Sequence, residues 1–149
     1  MGLNNNQLKI IGNINEESLQ EQKEIIDIKF QNITYYKTNG SINIGYDKWV
    51  SIDFLKAMSE MKKLDWSKFN HIGFVNHRTN ENVQFIRKRK NYWYADVPID
   101  GGVNWDGYVW GTYSDNKTIS NMMRLFFEEV EWFGILEWKM RRVKQNGRY

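Results

Sequence analysis

Cysteine is absent from the 149-residue chain. That excludes disulfides and thiolate chemistry, and it leaves the compartment open. Proline occurs once, at Pro98; with no N–H to give to a β-ladder, it is expected at a strand end or on an edge. No apolar run approaches the ~20 residues needed to span a bilayer. The first residues, MGLNNNQLKIIG, hold neither the apolar stretch nor the cleavage site of a secretion signal. Asn6 stands where a myristoylation pattern needs Ser or Thr. The expectation is a soluble, cytoplasmic protein with no membrane partner.

Histidine is scarce too, with only His71 and His77. On a regular strand they would point to one side, ~20 Å apart, too far to share a metal; a turn at Asn76 would bring them closer. P-loop, zinc-finger and RNP-type spacings are missing. Asp100, Asn104, Asp106 and Gly107 echo a calcium loop but lack the closing Glu, and read instead as two turns, Asp100-Gly101 and Asp106-Gly107. His77-Arg78-Thr79 resembles half of a two-histidine phosphoesterase pattern whose second His-x-Thr is missing. No catalytic residue, metal or cofactor is assigned from these fragments.

What the chain has in abundance is aromatic surface: seven Trp, eight Tyr and eight Phe. Disordered chains are poor in such residues, so the chain folds, most simply as one domain over 1–149 with residues 1–7 loose. Charge is also distributed unevenly. Residues 1–66 hold eight lysines against nine acids, whereas residues 67–149 hold thirteen Lys or Arg against nine acids, giving net −1 and net +4. A blocky surface of this kind suits a macromolecular partner.

Periodicity predicts an α+β fold: a mostly antiparallel sheet of about five to six strands with two helices on one face. Leu8, Ile10 and Ile14 fit a short strand, and NEESLQEQKE a short helix or loop with Asn15 as cap. Ile26, Ile28 and Phe30 alternate with polar residues, and after Gln31 the phase flips to Ile33 and Tyr35, as a β-bulge would make it. Residues 51–64 read as a helix capped by Ser51, with Ile52, Leu55, Met58 and Met61 on one face. Strands are predicted at 71–76, 82–87, 92–99 and 108–113. The strongest helix is 115–130, capped by Ser114 or Asp115, its apolar face made of Ile119, Met122, Met123, Phe126, Phe127 and Val130. Beyond Gly134, Leu136, Trp138 and Met140 alternate with charges and favour a last strand; a helical face through 135–143 also fits.

Two places carry candidate partner-binding residues. The first is the hairpin around 85–98, where Arg87, Lys88, Arg89 and Lys90 abut Tyr92 and Tyr94. Pairing Ile86 with Trp93 would put Trp93, Ala95, Val97 and Ile99 toward the core and Phe85, Tyr92 and Tyr94 on the other side. Cations that follow phosphates beside rings that stack on bases would bind single-stranded nucleic acid; the same surface fits an acidic protein; and four charges also simply protect a sheet edge. The second is the acidic helix end with the basic tail. Glu128, Glu129 and Glu131 stand where the helix dipole disfavours anions. They are expected either to pair within the fold with Lys139, Arg141 or Arg142, or to form an acidic patch for a basic partner or part of a metal or acid/base site. The expected division is Glu128 or Glu129 paired internally, with Glu131, beside Trp132, left for a partner. Trp132, Arg141 and Arg142 are residue types enriched at interface hot spots.

The small, cysteine-free, Trp-rich and charge-blocky character is similar to that of bacterial or phage proteins that bind and inhibit another macromolecule, immunity and anti-defence proteins among them. The likeness is compositional and covers no motif. The leading expectation is a non-enzymatic binding protein, an inhibitor of a protein partner. A nucleic-acid-binding domain comes second, and a hydrolytic enzyme acting on nucleic acid or nucleotides third.

Overall fold

In the computed structural model, which describes residues 32–67, 70–99 and 108–142, the alternating segments pair into one antiparallel sheet of eight strands. They are β1 (Ile33–Asn39), β2 (Ile42–Ile44), β3 (Val50–Ser51), β4 (His71–Asn76), β5 (Glu81–Arg89), β6 (Tyr92–Pro98), β7 (Tyr108–Ser114) and β8 (Lys139–Arg142). Their order is β2-β1-β4-β5-β6-β7-β8, with β3 also pairing to β1. The two helices of the described residues are α1 (Phe54–Lys62) and α2 (Asn116–Glu128). The class is α+β, as the periodicity indicates. The extra strands are the short β2 and β3, which have too few residues to show a period.

The register separates the two faces. Ile72, Phe85 and Ala95 lie in one row across β4, β5 and β6, with Phe74 and Val83 in the next. These side chains are buried against Ala57, Met61 and Leu64 at α1 and against Ile119, Met122, Met123, Phe126 and Phe127 of α2, in one apolar cluster. Asp115 caps α2, its carboxylate accepting from the Thr118 N–H at 2.8 Å. Val130 falls beyond the helix and is exposed. For α1 the cap is Asp53 rather than Ser51, which belongs to β3. The helix buries Ala57, Glu60 and Met61 rather than the expected face through Leu55, which is exposed. Glu60 is tolerated there because Lys37 Nζ donates to its Oε2 at 2.7 Å; that bond holds the carboxyl below the usual range.

On the opposite face, Tyr36, Gly73, Gln84, Asp96, Gly111 and Lys139 form a row crossing six strands. The Tyr36 ring lies flat across Gly73, where any Cβ would overlap it, and its hydroxyl donates to Gln84 Oε1 at 3.0 Å. Pro98 ends β6, where its missing N–H is tolerated. The strand and helix expected before Gln31, the possible bulge at Gln31 and the turns at 100–107 lie outside the described residues.

Candidate functional site

Arg87, in the middle of the basic run, is not at the surface. Its side chain is buried, sandwiched between the rings of Trp66 and Trp93 at 4.8 and 5.2 Å. Nε and Nη2 donate to the Lys90 carbonyl at 3.2 and 2.7 Å, and Nη1 donates to the carbonyls of Lys62 and Leu64 at 3.1 and 3.4 Å. The guanidinium thus closes its own hairpin and covers the C-terminal carbonyls of α1, where the helix dipole favours a cation. Burial draws its pKa down, but a guanidinium stays charged.

The hairpin turns at Lys90–Asn91, and a register shift lies between Arg87 and Arg89. One looped-out residue therefore corrects the expected pairing: Ile86 faces Tyr94, and Arg87 faces Trp93. Phe85 goes to the core with Ala95, not beside the tyrosines. The bulge also divides the basic run. Arg87 reaches Trp93 on the helix-covered face, while Arg89 lies over Tyr92 at 6.0 Å on the opposite one. Lys88 is half-buried, and Lys90 is exposed at the turn.

On that opposite face the structure joins the hairpin to the C-terminal strand. Tyr92 stacks on Tyr113 with centroids 5.2 Å apart and planes 11° from parallel, and Tyr94 packs against Tyr113 at 5.0 Å. Arg141 starts opposite Val109, runs past Gly111, and sets its guanidinium carbon 5.5 Å from the centroids of both Tyr94 and Tyr113. Tyr94 is buried, whereas Tyr92 and Tyr113 are 41% and 40% exposed, with Arg89, Lys139 and Arg141 exposed around them. Arg142, one residue on, is opposite Tyr108 and belongs to the other side. Tyr113 is the residue sequence reasoning missed; only the β6–β7 register reveals that it is opposite Tyr94. Gly111 makes the arrangement possible, since a Cβ there would overlap the Tyr94 hydroxyl and come within 3.0 Å of Arg141 Cδ. Gly111→Ala is expected to cost ~1–3 kcal/mol by overpacking. Tyrosine ring resonances of residues 94 and 113 would shift together in its NMR spectrum, while those of a surface Ala variant would not.

The acidic helix end resolves differently from expectation. Glu129, the C-cap of α2 with φ 58°, forms an ion pair with Arg78 from the β4–β5 turn, not with the tail. Glu131 Oε1 accepts from the Gly134 N–H at 3.0 Å. Trp132 is buried, its indole donating to Glu81 Oε2 at 2.9 Å and its ring edge-on to Phe126 at 5.3 Å; it presents no surface. Arg89, Lys139, Arg141 and Arg142 have no carboxylate partner among the described residues.

The histidines stay apart in role. His77 places Nε2 2.7 Å from Thr34 Oγ1 and stacks under Trp49 at 3.8 Å, and burial pushes its pKa down. His71, at the other end of β4, lies 6.2 Å from Tyr36. Among the described residues no group of three His, Asp or Glu side chains is placed to hold a metal ion. No family model, curated protein or solved structure matches this chain.

Proposed function

We propose that this protein is a non-enzymatic binding module that grips an acidic segment of a protein partner with Arg89, Tyr92, Tyr113, Lys139 and Arg141. The observation that carries the reading is the set of unneutralised cations. Glu129 and Glu131 are engaged elsewhere, by Arg78 and by the Gly134 N–H, and the exposed Glu137 forms no ion pair with the tail among the described residues. Around the tyrosine stack, Arg89, Lys139 and Arg141 are exposed and form no ion pair among the described residues, and the acid of this face, Asp96, is buried beneath in the row of Gly111 and Lys139. Opposite charge across an interface steers encounter and fixes register, and an Arg next to an exposed Tyr is the composition of an interface hot spot.

An acidic protein fits better than single-stranded nucleic acid because the ring faces are already engaged. Tyr92 and Tyr113 stack on each other, and the arginines lie over them. Base stacking needs free faces; carboxylates need the guanidinium and hydroxyl groups that remain. An inhibitory role of the immunity or anti-defence type agrees with this, with one restriction. A nuclease presents a positive phosphate site, which would repel this patch, so the partner is of another kind.

Anisotropy titrations of a labelled oligoglutamate peptide and of single-stranded oligonucleotides test the reading. Peptide binding that weakens with salt, and weakens about two- to fivefold for each of R89S and R141S, is expected from exposed ion pairs. Tighter binding of the oligonucleotide, lost in the same variants, would replace this reading with nucleic-acid recognition. No saturable binding of either would overturn it.

A further inference from the structure

On the other side of the hairpin tip, a cavity of about 370 Å³ lies between α1 and α2. That is the size of small-molecule pockets rather than of a surface for a folded partner. Its apolar lining is the half-buried Met58, backed by Met61, Trp93 and Ile119, each almost fully buried. Its charged wall is made of Lys62 at the end of α1 and Lys90 at the hairpin turn, with Arg87 behind them. No Asp or Glu lines it among the described residues.

The three cations are not equivalent. Arg87 spends four donor contacts on backbone carbonyls, so it contributes fixed positive charge and little free hydrogen bonding. Lys62 and Lys90 are exposed and have no carboxylate within ion-pair distance among the described residues. Trp93 is fixed in the wall, its indole donating to Asn116 Oδ1 at 2.6 Å. The half-buried Met58 thioether favours a polarisable apolar body, while the ammonium groups of Lys62 and Lys90 at the rim favour an anionic head.

We propose that this cavity binds a small organic anion, a polarisable apolar body carrying a carboxylate or phosphate group whose charge meets Lys62 and Lys90. The site is separate from the tyrosine patch, lies on the other face of the sheet, and does not depend on the protein-partner reading.

Titrating the full chain with naphthoate, naphthyl phosphate and neutral naphthalenemethanol, followed by amide and indole NMR, tests it. The Trp93 indole signal is assigned from a Trp93→Phe variant. Saturable shifts of that signal and of the Ile119 and Ser120 amides are expected with at least one of the two anions. K62S and K90S should each weaken binding about two- to fivefold, and the spectra report at once whether those variants fold. R89S with R141S should bind the anion as the wild type does. The proposal is overturned if no saturable shift reaches Trp93, if the neutral alcohol binds as tightly as the anions, or if the shifts centre on Tyr92 and Tyr113.

Discussion

Replacing Arg87 with methionine is expected to lower stability by ~3–5 kcal/mol, through the loss of charge-assisted hydrogen bonds to buried carbonyls. The substitution keeps an unbranched apolar stem between Trp66 and Trp93 but leaves the carbonyls of Lys62, Leu64 and Lys90 without their donor. Hydrogen bonds to a charged group are each worth ~1.5–3 kcal/mol, and water reaching some of the freed carbonyls brings the total below their sum. Arg87→Lys should recover only part of the loss. A point charge cannot fork to three carbonyls or lie flat between two indoles. At ~2–4 °C per kcal/mol for a chain of this size, the methionine variant should melt roughly 10 °C below the wild type. An unchanged melting temperature would mean that the basic run is only a solvated tip.

The second large effect is expected at Phe126. Its side chain is fully buried, edge-on to Phe127 at 5.9 Å and to Trp132 at 5.3 Å. Phe126→Ala should cost ~3–5 kcal/mol through lost transfer energy and the cavity left behind. Because Trp132 rests on that ring and donates to Glu81, the loss should spread to the β4–β5 end of the sheet. Urea unfolding with an unchanged slope and a lower midpoint would show a stability effect alone. A variant as stable as the wild type would contradict the packing of α2 on the sheet.

Helix α2 was legible in the sequence apart from its end. Ile119, Met122, Met123, Phe126 and Phe127 repeat at helical spacing, whereas Val130, expected on the same face, falls beyond the C-cap Glu129. The alternation of β4 and β6 was legible too. The hairpin register was not legible, since a bulge between Arg87 and Arg89 adds one residue with no sequence mark and moves every later pairing by one. The same hidden residue concealed the role of Arg87, which reads as one of four surface cations until Trp66 and Trp93 are seen on either side of it.

The candidate site was half legible. Arg89, Tyr92 and Arg141 stood out through charge and aromatic content, but nothing in the chain says that residues 92, 113 and 141 meet. That follows from the β6–β7–β8 pairing and from Gly111, whose lack of a side chain lets Tyr94 and Arg141 pass over it. The pairing of Glu129 with Arg78 was equally hidden, because the partner lies fifty-one residues away on a turn brought beside the helix end only by the fold.

Recognition of an acidic protein through the tyrosine–arginine patch is tested most directly by capture from the native host. Wild type and an R89S/R141S variant would be used side by side, with and without nuclease, and the captured protein rebuilt with purified components. The account predicts an acidic protein that the wild type retains after nuclease treatment, that the variant loses, and that binds the purified wild type more weakly as salt rises. A capture abolished by nuclease, or a partner bound equally well by the variant, would contradict it.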